Sequence, residues 1–259
     1  MNNFLGLFFP FVSGLFFLVG FVIVKFIKNR QALAIFSTSL AFVVMMGMLA
    51  FDLIPEVLEL SELLSLKSMG QVISIILTIG AGIGLLKGLD ILLPHHHHEH
   101  HDHEKEKKEH NQHLFHIGFI MTTSLILHNI LEGMSMYVLS HENLSVGLLM
   151  ALGVGLHNLP LGIEIASGLD VSEGNKNTTI LSMVLLSTSA LIGAFIMSFL
   201  GEFITPTIEF ILVGVASGMI IYIAIFELLK EMYQYLHKKE LWSGISVGII
   251  FLLLMTFVG

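Results

Sequence analysis

The stretch LFHIGFIMTTSLILHNILEGMSMYVL, residues 114–139, is apolar along nearly all its length, yet carries an imidazole at His128 and a carboxylate at Glu132. A helix needs about 20 largely apolar residues to cross the hydrocarbon core of a bilayer, and this run supplies them. Working outward, similar runs lie near 4–24, 32–54, 71–93, 145–168, 179–200, 207–229 and 241–258, with short polar breaks between them. The reading is an all-α, polytopic membrane helix bundle of eight transmembrane helices, the fourth and fifth joined by a very short turn. Helices 1–3 occupy residues 1–93, a His-rich loop 94–113, and helices 4–8 residues 114–259.

Composition agrees. Of 259 residues 54% are apolar and 12% charged, with a mean hydropathy of +0.85, whereas soluble domains run nearer a quarter charged. There is no cysteine, so disulfides, thiolate metal sites and dithiol redox chemistry are excluded. Any metal must be held by His, carboxylate, Asn or Met. No basic patch supports nucleic-acid binding, and the formal charge of −8 mixes a charged loop with membrane segments.

The first run is read as a span and not as a signal peptide: it lacks a basic n-region, its charges, Lys25, Lys28 and Arg30, follow it, and it shows no small-residue cleavage pattern. With the N-terminus outside, eleven of the twelve basic residues fall on the inner side and only Lys67 outside. Both termini are therefore expected to be extracytoplasmic, in a multi-pass protein of the cell membrane, and the 94–113 loop cytoplasmic. Asp52-Leu-Ile-Pro-Glu56 in the second span is echoed by Glu227-Leu-Leu-Lys-Glu231 in the seventh. These spans run in opposite directions, as an inverted repeat requires.

The chemistry concentrates in two matching segments, His128-Asn129-Ile130-Leu131-Glu132-Gly133 and His157-Asn158-Leu159-Pro160-Leu161-Gly162. An ionisable side chain at membrane depth costs roughly 3 kcal/mol, so such residues mark pathways or paired sites. His128 and Glu132, at i and i+4, project from one helix face and can share a cation. On the next, antiparallel helix His157 falls at a similar depth, giving an N, N, O ligand set. Pro160 removes one backbone hydrogen bond and frees a carbonyl nearby. Asn129 and Asn158 offer amide oxygens, or alternatively bond between helices. Glu164, seven residues beyond His157, is about 10 Å further along the axis; it reads as a next station toward the cytoplasm or as a carboxylate bonded to a neighbouring hydroxyl.

These paired H-N-x-x-E-G and H-N-x-P-x-G segments resemble the ZIP family of zinc and iron transporters. The resemblance extends to L-x-P-E in the second span, to the run from Gly218 to Glu231 in the seventh, and to the His-rich loop. It implies an eight-helix bundle with extracytoplasmic termini, a metal site between helices 4 and 5, and alternating-access transport toward the cytoplasm. His128, Asn129 and Glu132 match metal-binding positions of the first motif, His157 and Asn158 those of the second, and Glu227 an acidic position near the cytoplasmic exit.

Three departures matter: Leu131 stands for the usual proline, Leu161 for the usual second glutamate, and Ser189 and Ala190 where many members carry a glutamate. With Glu132 as the one anion, a dication would keep about one uncompensated charge, so a single-ion site is predicted. Two imidazoles beside one carboxylate favour zinc, then iron, cobalt and nickel. The metal is substrate, not cofactor; the bilayer is a partner, and a homodimer is the assembly considered. HHHHEHHDH at 95–103 reads as a metal-binding tract or a solvated linker. An HExxH metalloprotease helix is absent, so an enzyme is not expected. The alternative is a metal-binding membrane receptor, or a degenerate transporter without flux.

Overall fold

In hydrocarbon every backbone N–H and C=O must find a partner within the chain, which leaves helices as the structure open to these apolar runs. The computed structural model describes residues 3–64, 66–92, 121–138, 140, 144–171, 176–203 and 205–258, and among them every long element is helical. In chain order these are α1 (Asn3–Phe26), α2 (Arg30–Met48, a π-helical turn Leu49–Leu53, then Ile54–Leu63), α3 (Ser68–Leu92) and α4 (121–138). Then follow α5 (Leu144–Val171), α6 (Lys176–Leu200), α7 (Pro206–Tyr222, a π-helical turn Ile223–Leu228, then Leu229–Gln234) and α8 (Lys239–Val258). The His-rich tract and the first residues of the expected fourth span lie outside the described residues.

Five stretches among the described residues are long and apolar enough to cross a membrane: Phe4–Phe26, Gln31–Leu63, Ser68–Gly88, Asn177–Leu200 and Pro206–Gln234. Two of them outrun the spans read from hydropathy. α2 continues from the expected limit at 54 to Leu63, and α7 from 229 to Gln234, because the charged residues interleaved beyond the apolar run lower the hydropathy without ending the helix. Helix starts are chemically marked. Asn29 caps α2, its Oδ1 accepting from the Ala32 amide at 3.1 Å. Thr205 caps α7, its Oγ1 accepting from the Ile208 amide at 3.3 Å, with Pro206 at the first helical position.

Packing places α1 against α5 and α6, α2 against α5 and α8, and α3 against α7. Small residues set the closest crossings. A Cβ on Gly162 of α5 would come within 2.7 Å of the Phe17 carbonyl of α1, and one on Gly20 within 2.7 Å of the Leu159 carbonyl. Gly133 of α4 lies directly on the Ala190 backbone of α6, and Gly193 of α6 on the Ile130 backbone of α4. The glycine that closes each motif is thus a packing residue, and it holds the motif helix against a neighbour.

The two π-helical turns fall on the two echoed segments. Asp52 lies within Leu49–Leu53 and Glu227 within Ile223–Leu228. A π-turn shifts the hydrogen-bond register by one residue and re-aims the side chains that follow, and such turns concentrate at functional sites. Glu227 therefore sits inside a continuing helix and is buried.

Candidate metal site

The two motif helices bring three titratable side chains to one point. Glu132 Oε1 lies 3.1 Å from His157 Nε2 and 3.5 Å from His128 Nε2. One ligand atom from each of His128, Glu132 and His157 can be chosen so that all three lie within 4.8 Å of one another. The imidazole centroids are 6.4 Å apart, with the rings tilted by 38°. At Zn–N and Zn–O bonds of about 2.0–2.1 Å, tetrahedral ligands sit about 3.3–3.4 Å from each other. The two edges that include Glu132 Oε1, 3.1 and 3.5 Å, lie on either side of this length.

The donors are also unsatisfied. Both nitrogens of His128, His157 Nε2 and Glu132 Oε2 are buried without a hydrogen-bond partner. Buried polar groups left unpaired cost about 1–3 kcal/mol each. The imidazoles and the carboxylate meet at ion-pair distance on Glu132 Oε1, while Glu132 Oε2 keeps no hydrogen-bond partner. That combination, lone pairs aimed at a shared point in an apolar bundle, fits the N, N, O chemistry of a borderline dication.

Around this point the other candidates separate. Asn129, 1% exposed, has neither amide atom hydrogen-bonded. Asn158 donates through Nδ2 to the Ser13 carbonyl of α1 at 3.3 Å and keeps Oδ1 unpaired. It therefore does some of the interhelical bonding weighed above while leaving its ligand oxygen available. Pro160 lies inside α5, which continues through it. Leu161 is fully buried, an apolar side chain at the position of the absent second carboxylate. Ser189 is spent on the Leu186 carbonyl at 2.7 Å.

Glu164 and Glu227 are buried but do not join the His128, Glu132 and His157 cluster. Glu164 Oε1 accepts from Thr38 Oγ1 of α2 at 2.9 Å. Asp52 is the residue that reasoning from the two motifs passed over. From the π-turn of α2 its carboxylate acts electrostatically on His157, Glu132 and His128. The available signal was the DLIPE echo, whose first acid falls in the π-helical turn of α2. Glu56, on the next turn, interacts with His128 and with Glu209 at the start of α7.

Comparison with known proteins follows the same residues. Residues 90–256 match the ZIP zinc transporter family, a region that holds both histidine motifs and the π-turn of α7. Over 205 residues, 78% of this chain and 76% of the relative, the sequence is 26% identical to the zinc transporter ZupT of Escherichia coli O7:K1 (strain IAI39 / ExPEC). With well over half of the chain inside the matched region, and with several helices apolar and long enough to span a bilayer, the protein is a multi-pass membrane protein that belongs to the ZIP family of metal transporters.

Proposed function

We propose that the protein carries zinc across the cell membrane toward the cytoplasm, with His128, Glu132 and His157 holding one ion between α4 and α5, and that it is not an enzyme. The observation that supports this reading is the convergence of the His128 and His157 imidazoles and the Glu132 carboxylate, whose ligand atoms lie within 4.8 Å of one another. The family match and the zinc transporter relative support it. Iron, cobalt and nickel are the next substrates on donor chemistry. Asn129 and Asn158 add amide oxygens as the ion enters or leaves, and Asp52 supplies negative charge that Glu132 alone does not.

In this reading the chain crosses the bilayer eight times with both termini outside. Asp52, Glu56 and Glu209 draw cations to the outer mouth, while Glu164 and Glu227 accept them on the inner side. Alternating access then moves one helix group against another around the site. The paired π-turns at Asp52 and Glu227 support an inverted repeat. A homodimer fits the stripe Gly80, Gly84 and Gly88 on α3, where an added Cβ meets nothing within 4 Å and a second helix can approach closely.

Metal competition tests the donor assignment. In zinc uptake by proteoliposomes, cobalt and iron(II) at equal concentration should compete, while magnesium should not. Magnesium displacing zinc at comparable concentration would contradict an imidazole-rich site.

A further inference from the structure

The turn that joins α7 to α8 gathers surface charge of one sign. Lys230, near the end of α7, Lys238, in the turn, and Lys239, at the start of α8, are all exposed. None of them forms an ion pair among the described residues. The acids interleaved with them offset little of that charge at the surface: Glu231 is buried and accepts from Gln234 Nε2 at 3.1 Å, and Glu240 is half-buried. Ile35, Met232 and Leu241 pack together, which puts the start of α2 at this end of the bundle. The far end of α2, with Glu59 and Glu62 exposed, lies at the other.

The same turn holds an apolar shelf next to its lysines. The Tyr235 amide donates to the Met232 carbonyl at 3.0 Å and the Lys238 amide to the Tyr235 carbonyl at 2.9 Å, so the reversal is closed by its own backbone. Trp242, the sole tryptophan of the chain, stands on the first turn of α8 with Nε1 donating to the Leu236 carbonyl at 3.0 Å. With that N–H satisfied, the exposed indole ring presents a fixed apolar face, and Leu236 and Tyr233 are exposed in the same segment. Lys230 lies one turn before Tyr233 on one face of α7, where its stem covers apolar surface and its ammonium reaches the water boundary. Such aromatic rings belong at the level of lipid headgroups, and lysines beside them attract acidic headgroups over neutral ones. Lysines alone would serve only to orient the chain; the bonded ring and its apolar neighbours add a wall for the lipid itself. We propose that the α7–α8 turn is a binding surface for acidic phospholipid, with Lys230, Lys238 and Lys239 on the phosphate-bearing headgroup and Trp242, Tyr233 and Leu236 against the glycerol and upper acyl region. The occupant is a lipid and not a soluble phosphate, because the lysines adjoin a stretch, Pro206–Gln234, that is apolar and long enough to cross the membrane.

The single tryptophan supplies the test. The full chain is reconstituted in mixtures of phosphatidylcholine and phosphatidylglycerol, with bromine on the acyl chains of one lipid or the other, and quenching of Trp242 fluorescence gives their relative affinity. A lysine beside an acidic headgroup contributes about fivefold, so wild type should prefer phosphatidylglycerol by about fivefold or more. K238Q/K239Q should bring the two lipids within twofold of each other, and so should salt at about 1 M, which screens charges beyond roughly 3 Å. K67Q, at the opposite end of the bundle, should keep the wild-type preference. Equal quenching by the two lipids in wild type would overturn the proposal, as would a preference that survives in K238Q/K239Q. Excess soluble glycerol phosphate should leave the preference unchanged; abolishing it would make the occupant a free phosphate and sink the lipid. Should the double variant fail to fold, K230Q reads the same surface and should lower the preference.

Discussion

Replacing Glu132 by Gln keeps the shape of the side chain and one coordinating oxygen but removes the charge. Glu132 Oε1 is common to both short edges of the site, 3.1 Å to His157 and 3.5 Å to His128, so no other ligand can substitute for it at the shared corner. Taking one partner from a buried charged arrangement costs about 3–5 kcal/mol. At 1.4 kcal/mol per tenfold, zinc affinity should fall by roughly a hundred- to a few thousand-fold. Isothermal titration of zinc into the purified protein measures this directly. The His157→Ala variant should lose a comparable amount, and the double variant E132Q/H157A much less than the sum, because both ligands serve one ion. An E132Q affinity within threefold of wild type, or full additivity in the double variant, would refute the shared-ion geometry.

Other consequences are checked independently. Gly133→Ala forces a Cβ onto the Ala190 backbone and should lower the melting temperature in detergent by the equivalent of about 1–3 kcal/mol; Gly84→Ala, which meets nothing within 4 Å, should leave the melting temperature of the monomer unchanged. Deleting residues 95–110 should leave zinc uptake substantially intact, since the donors of the site lie in α4 and α5; abolished uptake would move the essential chemistry into the loop. The chain has no cysteine, so Lys105→Cys introduces the sole thiol. A membrane-impermeant maleimide should reach it only from the cytoplasmic side, and labelling from outside would invert the topology.

The histidine site was legible because membrane burial makes His and Glu expensive, so their repetition at matching spacing stands out from an apolar background. Hydropathy marked where the chain meets hydrocarbon, not where its helices stop: α2 and α7 run on past Ile54 and Leu229 through mixed polar and apolar residues that stay helical. The π-turns left no compositional trace, since a one-residue slip in hydrogen bonding needs no special residue. Partners remote in sequence were equally hidden. Thr38 meets Glu164 across 126 positions, and Ser13 meets Asn158 across 145. Asp52 looked like half of a sequence echo, and only the packing of α2 beside α5 gave it a place near the site.

Whether bound zinc is also moved decides between a transporter and a receptor that binds without flux. Wild-type protein in sealed proteoliposomes, with zinc outside and a fluorescent chelator inside, should give a time-dependent signal that saturates with zinc and disappears in His128→Ala. Wild-type protein that binds zinc yet gives no internal signal above empty liposomes, in either orientation, would contradict transport.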